Sequence, residues 1–233
     1  MRKYILTDAQ GMTANGKKVA VGKVTHPVGA PNDVYSPIAR LCSDSPLLAV
    51  LQNPLYRPDS GQRLFQIDQW EVSVTGDKPR AYTVIKELPP PQPVTPQQQL
   101  AFALLALAEV YQDPDYLKWV GNWLSGTDRG AVAAHQIEVS AGSAIESADA
   151  LEVLEAHGEI SQNDLQRTKE RADHANRVIA VARAAQLAAA DDTASQAEAV
   201  KLAVQATLGL SQAGKKLDLG AVAERASKAV ATP

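Results

Sequence analysis

Cysteine is almost absent from this chain, and that scarcity excludes a good deal. The 233 residues contain one, Cys42, so no intramolecular disulfide can form and folding needs no oxidising compartment. Phenylalanine and methionine occur twice each, and aromatic residues make up 5% of the whole. A core built with so few of them relies on Leu, Val, Ile and Ala. Alanine buries little surface, at roughly 25 cal/mol per Å² of apolar area. Long apolar runs are missing too. The N-terminus, MRKYILTDAQGM, holds only Tyr4-Ile5-Leu6, far too short for the core of a signal peptide, and no stretch approaches the length of a membrane span. A soluble, cytoplasmic protein is expected.

Catalytic motifs are equally scarce. There is no Gly-x-Ser-x-Gly elbow, no Gly-x-Gly-x-x-Gly turn and no phosphate-binding loop ending in lysine. Four histidines occur: His26, His135, His157 and His174. His135 and Glu138, three apart on one helix face, could share a metal. No second pair has the Glu-x-x-His form that di-iron bundles use. His157, just before Gly158, reads as a helix-end cation, and His174 lies on a charged face. Cys42, next to Leu41, reads as a small buried hydrophobe. The expectation is no catalytic, cofactor-binding or metal-binding residue, and no cofactor.

What is present is a seam. The stretch LPPPQPVTP, Leu88–Pro96, separates two regions of different composition. Of 39 alanines, 7 precede Pro96 and 32 follow it. Before the seam, short runs rich in β-branched residues alternate with turn residues. Lys3–Thr7, Lys17–Val24, Arg63–Asp68, Gln69–Thr75 and Arg80–Leu88 read as strands, with an Asn15-Gly16 turn setting up a hairpin. Ser45-Pro46 starts one short helix through Leu51. After the seam, helices are expected over about 97–111, 115–124, 127–141, 144–157, 162–190, 194–211 and 219–231. Thr95-Pro96, Asp113-Pro114, Ser161 and Asp191-Asp192 supply their starts. Gly142 divides the third from the fourth.

The expected fold is α+β: a small, mainly antiparallel sheet domain with one short helix over residues 1–88, a Pro-rich linker over 89–95, and an all-α, Ala-rich helical domain over 96–233. Self-association into a homo-oligomer fits helices that bury little alone. No membrane partner is expected.

Two surfaces stand out as places to bind something. In the helical part, Trp119 and Trp123 lie four apart, with Arg129 close behind. They are read either as a core hinge or as an exposed aromatic patch for a protein partner. In the sheet part, Arg2, Lys3, Lys17, Lys18 and Lys23 could gather along one edge, interleaved with Tyr4, Tyr56 and Tyr82, to bind nucleic acid. Residues 1–94 carry 11 Lys/Arg against 8 Asp/Glu, and residues 95–233 carry 12 against 18, a basic head and an acidic tail.

Short motifs add a resemblance. Cys42, Pro46-Leu47, Val50-Leu51, the strand Arg63–Asp68 and Lys86-Glu87-Leu88 resemble the sheet domain of uncharacterised phage- and prophage-encoded proteins. Trp119, Trp123-Leu124, Asp128-Arg129, Ala133-Ala134 and Gly158-Glu159-Ile160-Ser161 resemble the Ala-rich helices that follow in them, and those of immunity-like proteins. The pattern departs near the cysteine, where Ala39-Arg40-Leu41 replaces the Gly-Phe-His run of such proteins. The resemblance implies a phage setting, the host cytosol and a binding role, with no catalytic residue to carry over. The expected function is therefore that of a non-enzymatic accessory protein that binds a host protein, in its sharpest form an anti-CRISPR-like inhibitor of a bacterial defence system. Nucleic-acid binding is the rival, and a metal-dependent enzyme using His135 and Glu138 comes third.

Overall fold

The computed structural model describes residues 2–13, 18–25, 43–53, 56–57, 60–71, 80–89, 92–157, 161–190, 192–208, 210 and 217–229. Lys17, His26, Cys42, the Asn15-Gly16 turn and residues 72–75 of the expected strand Gln69–Thr75 lie outside them. The chain is α+β and divides into two compact units, one of residues 1–95 with Leu219–Glu224, the other of Pro96–Asp218 with Arg225–Pro233. Residues of the last helix are counted in each unit.

The first unit is a four-stranded antiparallel sheet of β1 (Arg2–Thr7), β2 (Val24–Thr25), β3 (Arg63–Glu71) and β4 (Arg80–Glu87), in the order β1-β3-β4-β2. Alternation puts Ile5, Phe65, Ile67, Tyr82 and Val84 on one face, where Val19 completes a buried cluster. A short helix, α1 (Pro46–Leu51), packs against β1. Ser45 caps it, its hydroxyl accepting the Leu48 amide at 3.1 Å, and Pro46 fills the first turn. The sheet corrects one expectation. Of the expected strand Lys17–Val24, the described residues 18–24 do not run as one continuous strand. Within it the Val19 amide bonds the Gly11 carbonyl, and Gly22, at φ +76°, breaks the extended run. Only Val24–Thr25 remains as strand, on the far edge from β1.

The second unit is helical: α2 (Pro96–Ala108), α3 (Pro114–Ser125), α4 (Ala131–Ala156), α5 (Gln162–Ala188) and α6 (Thr193–Thr207), with part of α7 (Leu219–Ala229). Helix starts follow local chemistry. Asp113 accepts the Asp115 and Tyr116 amides, Ser161 the Asp164 amide, and Asp192 the Ser195 amide. Gly126, at φ +77°, ends α3 in the left-handed conformation that favours glycine. α2 is buried on nearly every side, from Gln99 to Leu107, as a helix apolar all round must be. It packs on α5 and α6, which pair with each other and whose buried residues include the small Ala182, Ala185, Ala199 and Ala203. α4 and α5 form a long antiparallel hairpin, each helix about 40 Å long at 1.5 Å per residue.

α4 is the second correction. Gly142 does not divide it: one helix of 26 residues runs straight through. Glycine in a helix costs about 1 kcal/mol relative to alanine. The burial of Ala134, Ile137, Ala141 and Ala148, on a helix that packs along α5, spans the position and outweighs that local preference.

Candidate binding face

The tryptophans do not form an exposed patch. Trp119 is 5% exposed and Trp123 2%, both inside the helical unit. They extend an aromatic row. Tyr111 meets Tyr116 edge to face at 5.6 Å, and Tyr116 meets Trp119 at 5.9 Å. The Tyr116 hydroxyl donates to the Leu104 carbonyl at 3.0 Å, tying α3 to α2, and complete burial pushes its pKa far up. Arg129 stacks on the Trp123 ring at 4.9 Å while its Nε donates to the Trp123 carbonyl at 2.9 Å. In this Ala-rich unit the bulky rings fill volume that alanine cannot, so Trp119, Trp123 and Arg129 serve the α3–α4 corner.

The basic residues do not share an edge either. Arg2, Asp68, Thr83 and Val24 form one row across the four strands. Arg2 and Lys3 on β1 are therefore three strand spacings, about 14 Å, from Lys23 beside β2. Arg2 stands opposite Asp68, and Lys3 is paired with Asp44. Lys18 is exposed and bridged to Met12, beyond the other end of β1. Of the interleaving tyrosines, Tyr56 and Tyr82 are buried. A continuous basic stripe does not result among the described residues.

His135 and Glu138 are near each other, 3.4 Å from Nδ1 to Oε2, but the carboxylate is otherwise committed. Gln186 Nε2 donates to Oε2 at 2.8 Å and Arg183 Nε to Oε1 at 2.7 Å. Those two bonds, that of Gln186 first, hold the Glu138 carboxyl below its ordinary pKa. A guanidinium on the carboxylate repels a metal cation. No cluster of three or more His, Cys, Asp or Glu placed to hold a metal occurs among the described residues. Glu138 instead ties α4 to α5.

The feature that the sequence reading missed is the other side of α4. Val132, Val139 and Val153 are 74%, 60% and 58% exposed. They stand seven and fourteen residues apart, and Gln136, Ser143, Glu146 and Ala150, all exposed, complete a row with alternating steps of four and three. That is the spacing of a helix-pairing seam. Two residues along a helix turn about 200°, so Val132 and Val139 point away from Ala134, Ile137 and Ala141, which face α5. α4 thus carries three exposed valines, spaced among polar and small residues, on the side opposite its buried residues. Exposed valine is also a poor helix former, so local helix stability does not account for it. Small neighbours, Ser140, Gly142 and Ser147, leave room for close approach.

No family model, curated protein or solved structure matches the chain.

The seam was legible in principle. The seven-residue spacing is in the sequence, but it becomes one stripe only if the helix continues through Gly142. Reading that glycine as a break cut the stripe in two. No helix among the described residues is long and apolar enough to cross a membrane.

Proposed function

We propose that this protein works by binding another protein and not by catalysis, and that the outer side of α4 is its binding face. The observation that carries the reading is the row of exposed valines, 132, 139 and 153, on a helix whose opposite side already packs on α5. Exposed valines at this spacing are what a partner helix covers in a helix-to-helix complex. In its finer form the reading makes the chain a phage-encoded accessory protein in a host cytosol, and the partner a component of a bacterial defence system. That form is supported by the resemblance in Pro46-Leu47, Trp119, Trp123-Leu124 and Asp128-Arg129.

The test is affinity capture from a bacterial lysate with the intact chain and with Val132→Glu/Val139→Glu, followed by mass spectrometry. The expected result is a host protein retained by the first bait and lost from the second, with unchanged far-UV circular dichroism. Retention of the same proteins by both baits, or of none by either, would overturn the reading.

A further inference from the structure

The α4–α5 hairpin is longer than the helices that pack on it. Its helices run for about 40 Å, whereas α6 is about 22 Å long and α2 about 20 Å. α6 ends beside Arg177, which donates to the Ala206 and Leu208 carbonyls at 3.0 and 2.8 Å. Residues 162–176 of α5 precede that point. The end of α2 reaches a little further along. Burial and then the Asp113 carboxylate push the Tyr111 pKa up, and the charge of Arg171 opposes them, so Arg171 lies near Tyr111.

Burial follows the same boundary. On α5 it begins at Ala175, and on α4 it stops at Ala148. Among the described residues, none of α4 after Ala148 and none of α5 before Ala175 is buried. The leucines there, Leu151, Leu154 and Leu165, are half-buried. Polar bonds differ too. Toward the body, Glu138 bonds to Arg183 and Gln186 across the hairpin. Toward the tip, Ser161 and Thr168 bond to Asp164, and Gln166 to Glu170, all within four residues along the chain.

We propose that the end of the hairpin, from about residue 149 of α4 to about residue 171 of α5, is an arm that opens and recloses as one unit while the rest of the helical unit stays folded. α4 gives eight residues to it and α5 ten. Helices shorter than about 12–15 residues are marginal in water by themselves, and tertiary burial supplies most helix stability in proteins. With no fully buried side chain among its described residues, the arm uncovers little apolar surface on opening and frees the backbone of both segments. The body is different: α2 is buried on nearly every side and cannot leave without breaking its own core. The arm rests on burial alone and is independent of the binding-face reading. It does bear on that face, because Val153 belongs to the arm and Val132 and Val139 to the body. A partner reaching all three valines needs the arm closed.

The test is native-state amide hydrogen exchange on the full chain, resolved by NMR, without and with low urea. Amides of residues 150–154 and 168–171 should exchange at least about 100-fold faster than those of residues 178–185, with one common protection and little urea dependence. Protection within about tenfold of residues 178–185, changing in step with them in urea, would show a single cooperative helical unit and overturn the proposal. Leu154→Ala separates an arm from two frayed helix ends. It should speed exchange at 168–171 on the other helix as well as at 150–154, and leave 178–185 unchanged. Faster exchange on α4 alone would mean that the two ends fray separately, and the arm fails.

Discussion

The sharpest stability prediction concerns Ala203, which is completely buried where α6 packs on α5 and α2. Helices that meet through alanine approach near the 8 Å end of the usual interaxial range, and leucine at the contact needs about 1–2 Å more. Ala203→Leu therefore has to push α6 away from a neighbour. Overpacking of this kind costs about 2 kcal/mol. The shift also strains the end of α6, where Arg177 Nη1 donates to the Ala206 carbonyl at 3.0 Å and the Leu208 carbonyl at 2.8 Å. Weakening both adds about 1 kcal/mol. The expected loss is about 3 kcal/mol. With a urea dependence of about 2 kcal/mol per molar, the unfolding midpoint of the helical unit falls by about 1.5 M. Ala197→Leu is the control. It lies on the same helix, is exposed, and should stay within about 0.5 kcal/mol of wild type. The assay is urea unfolding followed by far-UV circular dichroism. If the two variants unfold within about 0.5 kcal/mol of each other, the close packing argued for α6 is wrong.

Two further outcomes follow from α4. A β-carbon added at Gly142 meets nothing within 4 Å, and the residue is helical, so Gly142→Ala should raise stability by about 0.5–1 kcal/mol in the same unfolding assay; destabilisation would show that the helix is distorted there. Glu138→Gln should lower stability by about 1 kcal/mol at neutral pH, because the charge-assisted bond from Arg183 is lost. The folded-state pKa of Glu138 lies below its ordinary 4.5, so its contribution is complete above that value and disappears as pH falls through the lowered one. Unfolding midpoints of wild type and variant should therefore converge as pH falls through that lowered pKa, and a gap that persists after the carboxyl is protonated would refute the role given to the charge.

Helix starts were readable because a cap involves only four neighbouring residues. Ser45, Asp113, Ser161 and Asp192 each accept an amide two or three residues on, whatever the rest of the chain does. Gly142 and the Lys17–Val24 run were misread because local preference competes there with distant contacts. The α5 contact carries α4 through a glycine, and pairing with β3 takes β1 away from the neighbouring hairpin. Burial was harder still. Trp119 and Trp123 fit a core or a patch equally well by spacing, and only their burial in the folded chain, Trp119 against Tyr116, shows which. The basic residues are close in sequence, but a sheet order of β1-β3-β4-β2 sends Arg2 and Lys23 to opposite edges.

By itself, the sequence determines the α+β division at Thr95-Pro96, the places where most helices begin and the two apolar periodicities of α4. These depend on composition, on backbone preference and on interactions within one turn. Which periodicity faces α5 and which faces outward is a tertiary decision, because both stripes are short, small-residue and similar in kind. α5 can cover one side of α4 only, and the Glu138 bonds to Arg183 and Gln186 fix which. That rotation turns Val132, Val139 and Val153 from three scattered residues into a face.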